Sequence, residues 1–215
     1  MIGIFGGTFN PVHWGHIRTA LELKNALAMD KMLMVPCGIP PHRDEPETRA
    51  EIRLAMLSAA VADYAELQVD DRELKREGVS YTIDTLRSLR EEEGEVPLCL
   101  CVGVDAFIDL DTWHEWRHLI NLAHIVVAHR PGWPIESLEQ RISAELKSMT
   151  HDHQVIDVDR LHNKPAGYVL MQKVTDIDIS SSNIRDRIKQ GKSINDMVPP
   201  QVLEIIESHK LYQSI

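Results

Sequence analysis

The stretch Gly6-Gly7-Thr8-Phe9-Asn10-Pro11-Val12-His13-Trp14-Gly15-His16 gathers residues suited to holding a phosphate. Gly6 and Gly7 allow the backbone to approach a ligand closely and to take a positive φ. His13 and His16 stand three positions apart, so they share one face once a helix has begun. Gly15 puts no side chain between them. A helix start offers unpaired N–H groups and the positive end of the dipole. The chemistry on offer is stabilisation of charge on phosphate oxygens. The stretch has neither the Gly-x-Gly-x-x-Gly of a dinucleotide fingerprint nor the Gly-Lys-Ser/Thr of a Walker loop. Two histidines could also bind zinc, but that needs a third ligand, and the sequence offers no obvious one.

A second candidate lies far along the chain, at Ile179-Ser180-Ser181-Ser182-Asn183-Ile184-Arg185. Physically it is a Ser-rich helix start, where hydroxyls cap the helix or bind anions, with Arg185 on the first turn. Ordinary capping with a surface arginine is the plain alternative. Cys37, Cys99 and Cys101 have no motif partner and supply no activated nucleophile. Alternation puts Cys99 and Cys101 on one face of a strand, where they read as small buried residues.

These residues need a scaffold, and short β-rich apolar runs alternating with helical patterns predict a doubly wound parallel α/β sheet. Strands are expected at Ile2–Phe5, Met32–Pro36, Leu67–Val69, Leu98–Val104, Ile125–Ala128 and Tyr168–Val174. Helices are expected over 14–29, 49–62, 81–92, 112–122, 135–148, 182–190 and 200–209. The first of them should bury Ile17, Ala20, Leu21, Lys24 and Leu27, and the second Ile52, Ala55, Met56, Ala59 and Ala60. The histidine stretch then sits between the first strand and the first helix, where open parallel sheets bind ligands. The 215 residues, 43% hydrophobic, suffice for one domain spanning 1–215 with a helical C-terminal part over about 180–215.

Composition excludes several classes. No apolar run approaches the roughly 18 residues of a membrane span, the N-terminus lacks a signal-peptide pattern, and the cytoplasm is the expected compartment. Lys plus Arg is 23 against 33 Asp plus Glu, a formal charge of −10. Such a surface repels nucleic acid, so an anionic substrate needs a local positive pocket. A homo-oligomer stays open.

The Gly-Gly-Thr-Phe-x-Pro-x-His-x-Gly-His pattern resembles the signature of the nucleotidyltransferase superfamily that shares His-x-Gly-His with class I aminoacyl-tRNA synthetases. The run at 179–185 is similar to the Ile-Ser-Ser-Thr-x-Ile-Arg motif of adenylyltransferases, with Ser182 keeping the hydroxyl of the usual Thr. Pro40-Pro41-His42-Arg43, Asp71-Arg72-Glu73-Leu74, Gly78-Val79-Ser80-Tyr81-Thr82, Gly103-Val104-Asp105, Trp113 and Trp116, and Arg130-Pro131-Gly132 follow in family order. Over nearly the full chain they resemble the bacterial nicotinate-mononucleotide adenylyltransferases. Gly38 departs from that pattern, which has a polar residue such as Asn there, so one acceptor contact is expected to be missing.

The resemblance implies a Rossmann-like nucleotidyltransferase fold. It implies transfer of AMP from ATP, with Mg²⁺, to nicotinate mononucleotide in NAD biosynthesis. It gives His13, His16 and Arg185 the catalytic role. Gly6, Gly7, Thr8, Phe9, Asp105, Ser181, Ser182 and Arg185 fall to ATP, and Asp105 would bind a ribose hydroxyl or the magnesium environment. His42, Arg43 and Arg130 fall to the acceptor phosphate. Trp113 would stack on the pyridine, and the Tyr81–Thr82 turn would offer N–H groups to the carboxylate. No acidic side chain is placed at that turn by the motif, although Asp84 lies close by in sequence. Nicotinamide mononucleotide is the alternative acceptor. A non-catalytic nucleotide-binding regulator and a zinc hydrolase are the alternatives from other classes.

Overall fold

The computed structural model describes residues 1–41, 46–129, 138 and 140–213. Its centre is a seven-stranded sheet of β1 (Ile2–Gly7), β2 (Lys31–Pro36), β3 (Leu67–Val69), β4 (Leu98–Gly103), β5 (His124–His129), β6 (Gln154–Val155) and β7 (Val169–Lys173). The strand order is β3-β2-β1-β4-β5-β7-β6, and every pairing is parallel. The order reverses between β1 and β4. Their carboxyl ends therefore open on a crevice that no crossover helix covers.

Burial on both faces explains the near-continuous apolar strands. Cys99 and Cys101 point into one core with Met32, Met34 and Val126. Leu98, Leu100 and Val102 point into the other with Ile4, Leu33 and Val127. The two cysteines are buried on one face, as alternation predicts, and burial pushes the Cys101 thiol up to about 12. Helices α1 (Trp14–Ala26), α2 (Ala50–Val61), α3 (Arg72–Lys75), α4 (Thr82–Glu93), α5 (Val104–Ile108), α6 (Trp116–Leu122), α7 (Ala144–His153), α8 (Asp159–His162), α9 (Ser181–Lys189) and α10 (Pro200–Ser208) surround the sheet. Buried residues of α9 and α10, Ile184, Val202 and Ile206, join the same core as Ile17 and Leu23 of α1. Among the described residues no helix is long and apolar enough to cross a membrane.

Several expected boundaries move. β1 runs two residues past Phe5, because Gly6 and Gly7 still pair with Val35 and Pro36. Neither glycine takes a positive φ; the turn falls on Phe9, at φ 49°. α1 stops at Ala26 and buries Ile17, Ala20 and Leu23, leaving Leu21 and Lys24 half-buried. β4 ends at Gly103, and Val104 starts α5 instead. The helix expected over 112–122 is a 3₁₀ turn, Leu110–Thr112, followed by α6, with Glu115 at φ 51° between them. Most of the first half of the helix expected over 135–148 lies outside the described residues. The described helix there, α7, begins after Ser143, whose hydroxyl accepts from Leu146 N–H. α3, β6 and α8, at four, two and four residues, are too short to carry a period.

α2 holds the largest departure. Its buried face is Arg53, Met56, Leu57, Ala60 and Val61, while Ala55 is exposed. Arg53 is 1% exposed, and among the described residues its guanidinium donates to carbonyls alone: Thr8 at 2.8 Å, Cys37 at 2.7 Å, Gly38 at 3.0 Å and Thr48 at 3.2 Å. One cation thereby joins the loops after β1 and β2 to the segment before α2. Truncation would strand several buried carbonyls, each worth about 1–3 kcal/mol. Arg53→Met is expected to lower unfolding stability by at least about 3 kcal/mol in urea titrations. A loss under about 1 kcal/mol would show that the carbonyls find other donors.

Candidate active site

A cleft of about 1140 Å³ lies at the carboxyl ends of β1, β2 and β4. One wall is the loop after β1 with the start of α1; the other is the turn before α4 with the segment after α5.

On the first wall, His13 caps α1 and His16 lies in its first turn. Their rings stack at 3.7 Å between centroids. The backbone N–H of His13 donates to His16 Nδ1 at 3.3 Å. That bond makes Nδ1 the acceptor and leaves the proton of the neutral ring on Nε2. Phe9 and Phe5 meet the His16 ring edge-on, at 5.1 and 6.4 Å. In this apolar surround burial pushes the His13 pKa down to about 4, and burial followed by the neighbouring His13 pushes His16 well below its ordinary value. Both imidazoles are therefore neutral near pH 7. His16 lines the cleft, whereas His13 is 5% exposed and stands behind it.

The glycines have distinct duties. A Cβ on Gly15 would sit 3.0 Å from the His13 ring, and one on Gly7 would sit 3.1 Å from the Phe9 ring. A Cβ on Gly6 would meet nothing within 4 Å, so the Gly6 backbone is open on that side.

α9 is fastened to the same wall. Ser180 caps it by accepting from Asn183 N–H at 3.2 Å. Ser181 Oγ donates to the Pro11 carbonyl at 2.9 Å, and Arg185 Nη1 donates to the Asn10 carbonyl at 2.8 Å. Ser181 and Arg185 line the cleft together with Gly6, Gly7, Thr8 and Phe9. Ser182 does not line it: the residue is exposed, and its hydroxyl lies 3.1 Å from that of Ser180.

On the second wall, Ser80 Oγ accepts from Gly38 N–H at 3.0 Å, and Ser80 N–H donates to the Ile39 carbonyl at 2.9 Å. A Cβ on Gly38 would approach both the Glu73 carbonyl and Ser80 Oγ to 2.9 Å. A polar side chain at that position has no room unless Glu73 or Ser80 shifts. Tyr81 is the N-cap residue of α4 and Thr82 opens it, and the Tyr81 side chain makes no capping bond. The Tyr81 ring packs on His114 at 4.4 Å. Asp105 and Trp113 also line the cleft, while Trp116 is buried in the core. Asp84 pairs with Arg87 at 3.5 Å and is not among the lining residues.

An acidic side chain from outside the 78–82 motif does stand near this turn. Glu73 lines the cleft almost buried, and Thr85 Oγ1 donates to its Oε1 at 2.7 Å. Burial pushes its pKa up, against the pull of Thr85 and Arg76. Sequence reasoning also missed Arg53 and Tyr212, whose hydroxyl reaches Asn10. His42, Arg43 and Arg130 lie outside the described residues.

Comparison with known proteins gives a consistent pattern. The family model described as cytidylyltransferase-like matches residues 4–187. A relative from Methylococcus capsulatus named probable nicotinate-nucleotide adenylyltransferase is 45% identical over 213 residues, covering 99% of each chain. One of the same name from Acidithiobacillus ferrooxidans is 42% identical over 211 residues, covering 98% of this chain and 95% of the relative. Among solved structures, Plasmodium falciparum nicotinic acid mononucleotide adenylyltransferase complexed with NaAD aligns with a TM-score of 0.73 at 18% identity, over 98% of this chain and 96% of that one. The last likeness is one of fold.

The histidine pair makes stability depend on pH. His13 takes a proton below about pH 4 when folded but near 6.5 when unfolded. Between those values the unfolded chain binds the extra proton, so stability falls as pH is lowered through that window. For His13 the whole loss is roughly 3 kcal/mol, and His16 adds to it in the same direction. Urea titrations at pH 7, 6 and 5 are expected to show a flatter decline for His13→Gln than for the parent. Parallel declines would place the His13 ring in water.

Proposed function

We propose that this chain, which belongs to the cytidylyltransferase-like family and within it to the nicotinate-nucleotide adenylyltransferases, transfers AMP from ATP to nicotinate mononucleotide, forming nicotinate adenine dinucleotide and pyrophosphate. The observation that carries the reading is a single cleft with two unlike walls. One offers a neutral imidazole donor, an arginine and an open glycine backbone; the other offers a helix start whose N-cap side chain makes no capping bond, beside a tryptophan.

The first wall takes ATP. Gly6, Gly7 and Thr8 supply backbone close to the phosphates, and Phe9 backs them. His16 presents Nε2–H to the oxygens that gain charge, with His13 stacked behind it as support. Ser181 and Arg185 hold the outer phosphates, and the Ser182 hydroxyl lies beside that of Ser180, which caps the same helix start. Asp105 receives the ribose or borders the magnesium ion.

The second wall takes the acceptor. Trp113 stacks on the pyridine, and the Tyr81–Thr82 turn offers N–H groups to its carboxylate. His42, Arg43 and Arg130 are assigned to the acceptor phosphate. Glu73 spends one oxygen on the Thr85 hydroxyl, and burial pushes its pKa up.

A phosphate monoester has its second pKa near 6, so the acceptor is already mostly a dianion and needs no general base. One of its oxygens attacks the α-phosphorus in line. The bond to the bridging oxygen breaks, and pyrophosphate leaves with the electron pair. The side chains position two polyanions and stabilise the charge that grows between them. Among the described residues no group of three or more His, Cys, Asp or Glu is placed to hold a metal. Mg²⁺ is commonly held through substrate phosphates and water rather than in an all-protein cage, and Asp105 in the cleft would border it. When bound, Mg²⁺ supplies charge neutralisation on the phosphate chain.

The test is a coupled pyrophosphate assay with ATP and each mononucleotide. N–H groups aimed at a carboxylate favour the acid, because the amide would present a donor to a donor. The expected kcat/KM for nicotinate mononucleotide exceeds that for nicotinamide mononucleotide by at least about tenfold. Equal values would mean that the turn does not read the carboxylate, and pyrophosphate from neither acceptor would point to a regulator.

A further inference from the structure

The loop between β1 and α1 is tied to the C-terminal part of the chain by three side chains. Ser181 and Arg185 belong to the α9 start already assigned to ATP. The third, Tyr212, belongs to no motif. It lies beyond α10 and 202 positions from its partner, yet its hydroxyl donates to Asn10 Oδ1 at 2.6 Å.

The ring is 6% exposed and sits in the same buried cluster as Phe9, Val12 and Ile17. Delivering it there requires a bent chain end, with Lys210 at φ 51° and Tyr212 at φ 61°. Such left-handed conformations cost about 1–3 kcal/mol each in non-glycine residues and persist only when the surroundings over-determine them. At the other end of the bond, Asn10 is held twice. Arg185 takes its backbone carbonyl and Tyr212 its side-chain carbonyl. Asn10 lines the cleft directly after Phe9, itself at φ 49°, and three residues before His13. Burial pushes the Tyr212 hydroxyl up to about 12, so its donor proton stays in place at neutral pH.

We propose that Tyr212 is a positioning residue for the ATP half of the site. Its hydroxyl fixes the Asn10 carboxamide, and with it the Phe9–His13 stretch that sets the His16 ring. The inference rests on the reading that this loop receives ATP. It predicts an effect centred on that substrate, since the Tyr212 hydroxyl bonds Asn10 on the first wall.

Tyr212→Phe keeps the ring and deletes the hydroxyl. Its kcat/KM for ATP is expected to fall about five- to tenfold, with the KM for nicotinate mononucleotide unchanged and the far-UV circular dichroism preserved. Calorimetric affinity for a non-hydrolysable ATP analogue should fall by a similar factor. Asn10→Ala removes the same bond from the other side and serves if Tyr212→Phe folds poorly. Adding Tyr212→Phe to Asn10→Ala should cost nothing further, because the bond is already gone. Unchanged ATP affinity and kcat/KM in a folded Tyr212→Phe protein, or fully additive effects in the double variant, would overturn the inference. If the parent binds the analogue but releases no pyrophosphate with either mononucleotide, the proposed activity fails, and the binding arm still decides the role of Tyr212.

Discussion

The cleft depends on one buried cation. Among the described residues, four backbone carbonyls and no carboxylate accept from Arg53. Removing an arginine from water is costly, and the cost is offset only when its donors are satisfied in good geometry. That condition fixes where the chain must lie. The carbonyls of Thr8 and of Cys37 and Gly38 have to converge on a point beneath α2. Gly38 held there also meets Ser80, which places the start of α4. Both walls are thus referred to the same guanidinium, one directly and one through a single serine hydroxyl.

On that base the site keeps its imidazoles poor in water. Stacking of His13 on His16, with Phe5 and Phe9 at the ring edges, disfavours charge on either ring. A cationic pair so close would repel itself in the absence of ligand. A neutral Nε2–H donor avoids that repulsion and would still offer a dipole to a phosphate oxygen of the proposed substrate. The positive charge of the first wall then comes from Arg185 and the start of α9, in a chain whose formal charge is −10. Concentrating positive groups on one wall of an acidic molecule is what selective binding of a polyanion requires.

Features carried by a short stretch were legible in the sequence. The apolar runs gave the strands, and the histidine stretch fell at a strand end, where parallel sheets bind ligands. Features decided by contacts between distant segments were not. Arg53 lies on the buried face of α2, but a reading by hydrophobic period assigns an arginine to the outside. Tyr212 meets Asn10 across 202 positions, with no local pattern to mark it. Glu73 stands in the run Asp71–Leu74, where no local pattern marks it as a cleft residue, and its bond to Thr85 joins segments 12 positions apart. The positive φ that two adjacent glycines suggested is borne by Phe9, because β1 continues through both of them to pair with β2. Ser182 matched a motif position, yet its hydroxyl turns to Ser180 rather than to the cleft.

A desolvated, neutral histidine pair is the central electrostatic claim, and ¹⁵N NMR of the labelled histidine rings tests it most directly. At pH 6 without ligand, both His13 and His16 should give the shifts of neutral imidazole, with His16 as the Nε2–H tautomer. Two rings that titrate near the ordinary value of 6.5 would contradict it. They would make the first wall an open cationic surface instead of a preorganised donor.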